Sequence, residues 1–587
     1  MGAASFLKRR TEEVAAAAEN GIVATGRAFR FLSSEVRGLQ AAVYVLASSA
    51  VLSSLLALLR DRLLAHSFGA GHTLDLYYAA FRIPDFLFVA TGALVSVYVL
   101  IPELARRTSE EQKNYIDTVL VGFSALAVVV SGLAALFAPA ILSHLFGALM
   151  AGESTLITLT RIMLAQPILL GLSNILASVT QSRHRYMLYS LSPLLYNVGI
   201  ICGILFLYPV FGIVGLAYGV VIGAFLHMAI QLPSMIADGF FFRTPRFEGM
   251  RTLARTAGVS IPRALALSMN QITFVGLTSL AGLLGAGSIA VFMFAYNLQA
   301  VPLSIVGASY SVAAFPTLAS ALARGERGLF IEHIAAAARY VFFWSLPGLA
   351  LAIVLRAHIV RVVLGSGAFD WTDTRLTAAA FALFSISLAA QGLQLLLVRG
   401  YYAAGRTFVP FFVSVWAALG TLALGTLLIN ASESETALRL TEDLLRVADV
   451  PGSRVLVLAC AYAFVSIAGS IALTAHFERR FAGFISKVWR SWVESGVSAV
   501  VAGAVAYGVL ILVGPIGFSS TTLSVFARGF TAGICGSIAG GVVYALLGNR
   551  EYRETAASIR GRLWRESPAP SEALVATAEE GSPASPQ

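Results

Sequence analysis

Hydrophobic residues in this chain form long runs separated by short polar breaks, which is the pattern of helices buried in a bilayer. A hydrocarbon core about 30 Å thick needs roughly 20 apolar residues for each crossing helix. Runs of this length predict an all-α, polytopic membrane protein with about fourteen transmembrane helices. The predicted spans are 43–66, 76–104, 116–146, 156–181, 186–208, 213–237, 258–283, 288–318, 333–355, 376–403, 407–430, 454–476, 491–514 and 523–547.

Lysine and arginine fall mainly in every second loop, and this alternation predicts the orientation. The loops after the first, third, fifth and seventh spans contain neither residue, whereas the intervening loops carry clusters of them. Positive residues near span ends stay cytoplasmic. We therefore expect the protein to lie in a bacterial plasma membrane with both termini in the cytoplasm. Two predicted external segments, 356–375 and 431–454, nevertheless carry arginines and depart from the rule.

Composition narrows the class of function. Only 12% of residues are charged, against about 25% in soluble proteins, so the net charge of +10 reflects loop topology and not a nucleic-acid surface. No nucleotide-binding loop, catalytic triad or Cys/His metal cluster occurs in the sequence. We therefore expect neither enzymatic activity nor a bound cofactor. The three cysteines lie inside apolar runs and are interpreted as small buried hydrophobes.

Two stretches of the chain resemble each other at one fixed offset. A Gly-Ala-Gly turn, an aromatic helix start and two prolines occur in 68–105 and again in 284–319, with the glycines 216 residues apart. Pro193 and Pro410 keep nearly the same offset. Because the offset covers six spans, an even number, the two copies would share one orientation and form a parallel repeat of two lobes. Ordinary kinks in a static bundle are the alternative explanation of the prolines.

The pattern of spans, loops and repeats divides the chain into five parts. They are a cytoplasmic N-terminal arm (1–42), an N-lobe of six spans (43–238), a C-lobe of six spans (257–476), two further spans (490–547) and a Pro- and Ser-rich tail expected to be disordered (566–587).

Several collinear motifs resemble the MviN/MurJ family of lipid II flippases, within the superfamily of multidrug, oligosaccharidyl-lipid and polysaccharide exporters. They include LLRDRLLAHSFGAGHTLDLYYAAFRIPDFL (58–87), SPLLYNVGI (192–200), IPRALALSMNQI (261–272), YNLQAVPLSIVGASYSVAAFPTL (296–318) and VRGYYAAGRTFVP (398–410). The resemblance implies a two-lobed fold with two extra C-terminal helices. It also implies a cargo, the polyprenyl-diphosphate-linked peptidoglycan precursor, moved between leaflets, with cell-wall synthesis proteins as possible partners. Some arginines common in the family are absent here, and Asn297 stands at one such position.

Charged residues at bilayer depth cost about 2.5–3.5 kcal/mol on insertion scales and persist where they face water or a partner. Arg60 and Arg82 lie deep in the first two spans, and guanidinium donors match phosphate oxygens two at a time. We therefore predict that both bind the diphosphate. The alternatives are that Arg60 extends to the outer interface and that Arg82 pairs only with Asp85, one turn away.

Further polar residues complete the predicted site. Arg263, Asn270 and Asn297 are candidate headgroup ligands, with an interfacial anchor for Arg263 and helix–helix hydrogen bonds for the two asparagines as the alternatives. Asp61 and Asp85 are the candidate ion-coupling carboxylates.

Three classes of function fit these observations. The first is a lipid-linked precursor flippase that works by alternating access. The second is a drug or ion antiporter of the same fold, which would need a deep carboxylate. The third is a non-transporting scaffold of the cell-wall machinery, which the missing arginines would suit.

Overall fold

The computed structural model describes residues 39–150, 154–240, 249–433, 439, 442–517 and 520–563. Most of the predicted N-terminal arm and the whole predicted disordered tail lie outside these residues. Throughout the described part the regular structure is helical, without a strand, and this confirms the predicted fold class.

Long apolar helices account for the predicted spans. Twelve stretches are long and apolar enough to cross a membrane, and a thirteenth is formed if the pair Trp371–Ile386 and Leu388–Ala403, bent by 44°, is one span. Helix Leu39–Phe68, which matches the remaining predicted span, has 30 residues and contains Arg60, Asp61 and Arg62. The spans are numbered 1 to 14 as Leu39–Phe68, His72–Ala105, Ser109–Phe146, Thr155–Ser182, Tyr186–Phe211, Ile213–Ala237, Met250–Gly282, Ser288–Ala323, Arg327–Val354, Trp371–Ala403, Phe408–Ala431, Ser453–Arg480, Phe484–Val513 and Thr522–Leu546.

Several spans are interrupted, which hydropathy alone does not reveal. Two spans contain a 3₁₀ turn: span 2 consists of His72–Ala80, Arg82–Gly92, the turn Ala93–Val95 and Val97–Ala105, and span 12 of the turn Ser453–Val455 and Leu456–Arg480. Two spans contain a π-helical segment: span 5 consists of Tyr186–Cys202, the π-helical Gly203–Leu207 and Tyr208–Phe211, and span 8 of Ser288–Pro302, the π-helical Leu303–Ala308 and Ser309–Ala323. Two spans are each divided into two α-helices: span 4 into Thr155–Met163 and Ala165–Ser182, and span 6 into Ile213–Ala229 and Leu232–Ala237. Two short helices, Arg356–Val363 and Arg550–Leu563, lie outside the spans. Breaks of this kind recur at functional positions in helices, where a bend re-aims side chains.

The hydrophobic cores show how the two lobes meet. We call the end that carries residues 69–71 and 285–287 the outer end, because the charge pattern predicts that it is external. One core at this end combines residues of both lobes, among them Leu64 and Tyr77 of the N-lobe and Phe292 and Phe384 of the C-lobe. Toward the inner end there are two separate cores, one within the N-lobe around Phe123 and one within the C-lobe, joined by the start of span 13. The lobes therefore share a core at the outer end, whereas at the inner end each lobe has a core of its own.

The outer fusion rests on the two Gly-Ala-Gly turns that suggested the repeat. Gly287 has φ of +85°, and a Cβ there would lie 2.1 Å from the carbonyl oxygen of Ala70 in the opposite turn. Gly69 has φ of +62°, and its Cβ would lie 2.7 Å from the carbonyl oxygen of Ala368. Only glycine allows both the left-handed backbone and this close approach. Superposition of the two lobes stays a prediction, but the turns do face each other.

Candidate functional site

A first polar network lies between the lobes, further inward than the outer end where the lobes share a core. We call the contacts between the lobes at that end the outer closure. Arg60 in span 1 donates to Oδ1 of Asp61 from Nε at 2.9 Å and from Nη2 at 2.8 Å. Its Nη1 donates to Asn197 of span 5 at 3.2 Å. Across the lobe boundary, the amide of Asn297 in span 8 donates to Oδ2 of Asp61 at 3.0 Å. Arg60 is thus held inside the bundle by Asp61 and Asn197, and its role as a ligand of the diphosphate stays a prediction.

A second polar network lies in span 2, next to the first. Nη2 of Arg82 is 3.6 Å from Oδ2 of Asp85, and its Nε donates to the carbonyl oxygen of Tyr78 at 3.1 Å. Gln166 of span 4 donates to Oδ1 of Asp85 at 3.2 Å. Asp85 also interacts electrostatically with Arg60, so the two networks are neighbours.

The two carboxylates have different surroundings. The Asp61 side chain is only 4% exposed and is bonded from both lobes. The Asp85 side chain is 28% exposed, and its arginine partner stands at a longer distance. Asp61 is therefore a fixed structural partner of Arg60, whereas Asp85 has room to exchange its partner.

Two polar atoms next to the second network have no hydrogen-bond partner in the described part of the chain. The hydroxyl of Tyr78 and Oε1 of Gln166 are buried, and neither has a partner among the described residues. A buried polar atom without a partner costs about 1–3 kcal/mol. Such atoms beside an arginine indicate a place where a polar ligand would complete the bonding.

The C-lobe contributes aromatic rings to the same region. Tyr296, next to Asn297, has its ring centroid 4.5 Å from that of Phe274 and 6.0 Å from that of Tyr462. Tyr462 donates to Gln391 at 3.3 Å. The N-lobe face is therefore charged, and the facing C-lobe surface is aromatic with amide groups.

Depth along the helices places these residues near the middle of the bilayer. Arg60 is eight residues from the outer end of span 1, and Asn297 is nine from the start of span 8. At 1.5 Å per residue they lie about 12–14 Å from the outer helix ends, close to half of a hydrocarbon core about 30 Å thick.

The other predicted ligands lie apart from the two networks. Asn270 is exposed and lies one turn inward of Phe274, on the same face of span 7. Arg263 belongs to the same helix nearer its inner end, but its side chain lies outside the described part of the structure. The sequence did not single out Asn197, Gln166 or Tyr78, although Asn197 and Tyr78 lie within motifs quoted for the family resemblance.

Two aspartates close the outer end above these networks. Asp75 of span 2 accepts hydrogen bonds from the backbone nitrogens of Gly287 at 2.5 Å and Ala290 at 2.8 Å, at the start of span 8. Asp373 of span 10 accepts from the backbone nitrogen of Ala70 at 3.0 Å, just before span 2 begins. Asp75 thus caps the start of span 8, where free N–H groups and the helix dipole favour an anion, and Asp373 binds the turn that precedes span 2.

Comparison with known proteins identifies the family that uses this architecture. The family described as Lipid II flippase MurJ matches residues 64–526 of the chain. The chain belongs to this family. Among its relatives, a probable lipid II flippase MurJ of Thermotoga maritima is 27% identical over 380 residues, covering 64% of this chain and 76% of the relative. The lipid II flippase MurJ of Burkholderia cenocepacia is 25% identical over 386 residues, covering 62% and 73%.

Solved structures agree on the fold. A lipid II flippase MurJ in an inward closed conformation superposes with a TM-score of 0.67 at 20% identity, covering 87% of this chain and 100% of that chain. An inward-facing multidrug transporter of the MATE family gives a TM-score of 0.60 at 15% identity, covering 74% and 96%. At these identities the likeness shows the fold alone.

In this MurJ family member, the site combines residues inside and just outside the family match. Arg82, Asp85 and Asn297 lie within the matched residues 64–526. Arg60 and Asp61 lie a few positions before the matched range begins. Asn297 stands where an arginine is common in the family, and its amide supplies a neutral donor to Asp61. The lobe-to-lobe contact is therefore made here without an additional charge.

Proposed function

We propose that this protein moves lipid II, the polyprenyl-diphosphate-linked peptidoglycan precursor, from the inner to the outer leaflet by alternating access. Membership of the lipid II flippase family supports the cargo. The observation that carries the mechanism is the pair of arginine networks at mid-depth between the lobes, because a diphosphate in a medium of low dielectric needs positive charge beside it.

The direction of loading follows from the packing. At the outer end the lobes share one core, and a carboxyl group of each lobe accepts a hydrogen bond from the backbone of the other. At the inner end, span 8's Ser309–Ala323 packs against spans 9 and 10, and span 1 packs mainly against span 5. This divergence supports a lateral opening between spans 1 and 8 toward the inner leaflet. With positive-inside charge placing both termini in the cytoplasm, the cargo enters from the cytoplasmic side of the bacterial plasma membrane.

Charge balance gives Asp85 a role in transport. The empty site contains two arginines and two aspartates and is neutral as a set. A diphosphate brings about two negative charges, so its entry needs a compensating proton or cation. Asp85 suits this exchange because it is partly open to solvent and weakly paired, while Asp61 is enclosed by Arg60 and Asn297. We therefore assign ion coupling to Asp85 and positioning of Arg60 to Asp61.

The remaining predicted ligands take secondary roles in this proposal. Asn270, inward of the aromatic rings, would meet the sugar or peptide headgroup as it enters. Arg263, nearer the inner end of the same helix, would attract the diphosphate. Cell-wall synthesis proteins as partners stay a prediction.

The antiporter and scaffold alternatives are less well supported. Likeness to multidrug transporters is a likeness of fold at 15% identity. A scaffold would have no need of two arginines and two aspartates at mid-depth.

The test is replacement of the native lipid II flippase in depleted bacterial cells by this chain and by Asp85→Asn. We expect growth and outer-leaflet exposure of lipid II with the unchanged chain. The Asn variant should lose the dependence of flipping on the imposed ion or voltage gradient. Failure of the unchanged, membrane-inserted chain to expose lipid II would refute the proposed cargo.

A further inference from the structure

A cavity lies between the N-lobe and span 7, toward the inner end of the molecule. Its volume is about 620 Å³, within the range of pockets that hold small ligands. Residues of spans 2, 3 and 7 line it, and all of them except Thr256 are apolar. Spans 1 and 8, which flank the proposed cargo entrance, contribute no lining residue. We call this space the inner cavity.

Two contacts between spans 3 and 7 frame the inner cavity. Toward the inner end, the hydroxyl of Tyr115 in span 3 is 3.0 Å from that of Thr256 in span 7. Toward the outer end, Ser279 of span 7 donates to the carbonyl oxygen of Leu145 in span 3. The two helices therefore touch near both ends, and the cavity separates them next to the inner contact.

The 3₁₀ turn Ala93–Val95 of span 2 forms a third wall. Leu94 and Val95 of this turn line the cavity. Ser260 of span 7 donates to the carbonyl oxygen of Leu94 at 3.1 Å. Leu94 and Thr256 thus line the cavity and also take part in the two hydrogen bonds that join span 7 to the N-lobe at the inner end.

The span 3 wall follows one line along the helix and leads to an exposed surface. Tyr115, Val119, Gly122 and Leu126 are four, three and four residues apart, so they share one face of the helix. Tyr115 is fully buried at the inner end of this line, whereas Leu126 is 40% exposed. Leu133, two turns further outward on the same face, is 51% exposed. The cavity therefore opens outward along an apolar face of span 3.

The span 7 wall continues in the same direction. Ala254 lines the cavity, and Ile261 and Leu265 follow it on the same face, seven and eleven residues further outward. Ile261 is 47% exposed and Leu265 is 46% exposed. Both walls thus lead from the cavity into exposed apolar surface, as expected of a groove that opens to lipid.

The inner cavity lies at the depth of hydrocarbon chains. Arg106 and Arg107 follow the last helix of span 2, and positive residues of this kind mark the cytoplasmic interface. Val95 is eleven residues outward of Arg106, or about 16 Å along a helix. The interfacial layer on each side of the hydrocarbon core is only about 5–8 Å thick. The cavity is therefore on the hydrocarbon side of the inner interface.

We propose that the inner cavity binds a hydrocarbon chain of a phospholipid from the inner leaflet. An empty apolar cavity leaves its lining atoms without contacts, and water is not stable in such a space. The polyprenyl tail of the cargo is a poorer occupant, because the proposed cargo entrance is formed by other spans. Since Leu94 and Thr256 belong to both the cavity and the inner contacts, the bound chain would stabilise those contacts. This site does not depend on the proposed cargo.

Native mass spectrometry of the full-length protein purified from bacterial membranes would detect the bound lipid. Gly122→Phe fills the cavity from span 3, and Ala257→Leu fills it from span 7. Gly132→Phe is the matched control, because Gly132 is exposed on the same helix and an added Cβ would have no atom within 4 Å. We expect one phospholipid to stay bound to the unchanged protein and to Gly132→Phe, and its bound fraction to fall about tenfold in both cavity variants.

Melting temperatures of the delipidated proteins in neutral detergent separate loss of the lipid from loss of folding. Phosphatidylglycerol should raise the melting temperature of the unchanged protein and of Gly132→Phe by several degrees. Glycerol phosphate, which has no chains, should have no effect, and the cavity variants should unfold cooperatively without responding to either probe.

Four results would each overturn the proposal. They are retention of the lipid by both cavity variants, an equal loss in Gly132→Phe, a retained lipid with the mass of a polyprenyl compound, and an equal shift in melting temperature with glycerol phosphate. The last of these needs only the unchanged protein, so it tests the site even where a cavity variant fails to fold.

Discussion

The outer and inner ends of the inter-lobe boundary are built differently. At the outer end, a carboxyl group of each lobe accepts a hydrogen bond from the backbone of the other, Arg62 donates to the carbonyl oxygens of Val362 and Val363 at 2.5 and 3.1 Å, and a single core spans both lobes. At the inner end, the hydroxyl of Tyr115 meets that of Thr256 at 3.0 Å, and Ser260 donates to the carbonyl oxygen of Leu94 at 3.1 Å.

This difference indicates whether the contacts at the outer end or those at the inner end contribute more to the stability of this conformation. Hydrogen bonds to a charged group contribute about 1.5–3 kcal/mol, against about 0.5–1.5 kcal/mol for neutral pairs. The outer contacts place the carboxyl groups of Asp75 and Asp373 on backbone amides, whereas the two inner contacts named above join neutral groups of spans 2 and 3 to hydroxyls of span 7. We therefore expect the outer contacts to contribute more than these inner contacts to the stability of this conformation.

The largest expected effect comes from removing the carboxylate that caps span 8. In Asp75→Ala, two buried backbone amides lose their carboxyl acceptor, which should weaken the outer closure by about 3 kcal/mol and shift the conformational equilibrium about a hundredfold toward outer-open forms. Spin labels at Ser154 and Leu283, exposed on opposite lobes of the outer end, would report this as a longer distance. An unchanged distance distribution would contradict the assignment of Asp75 as the main closure.

Asp373→Ala should act in the same direction but more weakly. Asp373 accepts a single inter-lobe bond, from Ala70, and is partly exposed. We expect about 1 kcal/mol, or about a fivefold shift, in the same label pair. An effect larger than that of Asp75→Ala would mean that Asp373, and not Asp75, contributes more to the outer closure.

The smallest effect is expected at the inner end. Tyr115→Phe/Thr256→Val removes both partners of the hydrogen bond between the two hydroxyls, which is close to neutral in cost. Labels at Glu110 and Arg324, on opposite lobes of the inner end, should show less than about a twofold change in populations. A larger change would mean that the inner contact controls the resting state.

The sequence predicted the fold class because apolar runs of bilayer length are long and unambiguous. It also pointed to the outer closure, since the repeated Gly-Ala-Gly turns meet there. The prolines Pro84 and Pro302 pointed to bends in spans 2 and 8, and Pro302 does end the first helix of span 8, but the sequence did not predict the 3₁₀ and π-helical turns themselves. The paired state of Arg60 needed the fold as well: Asp61 is its neighbour in sequence, but Asn197 and Asn297 reach it only through span packing.

Asp75 illustrates the same limit in another way. In the sequence it is one more residue in an aromatic helix start, and its partners lie 212 and 215 residues further along the chain. The available signal was a carboxylate at the start of an aromatic helix, which needs a partner when buried.

Arg60 is proposed to hold the diphosphate of the cargo as it crosses between the lobes. The exposure of lipid II headgroups on the outer side of vesicles containing Arg60→Ala tests this role most directly. We expect flipping to be lost while the protein stays folded, and to be partly retained in Arg60→Lys, which keeps the charge without the two-pronged geometry. Flipping should be unaffected in Arg161→Ala, an outer arginine bonded to the carbonyl oxygen of Ala135. Flipping by Arg60→Ala at the rate of the unchanged protein would contradict this role of Arg60.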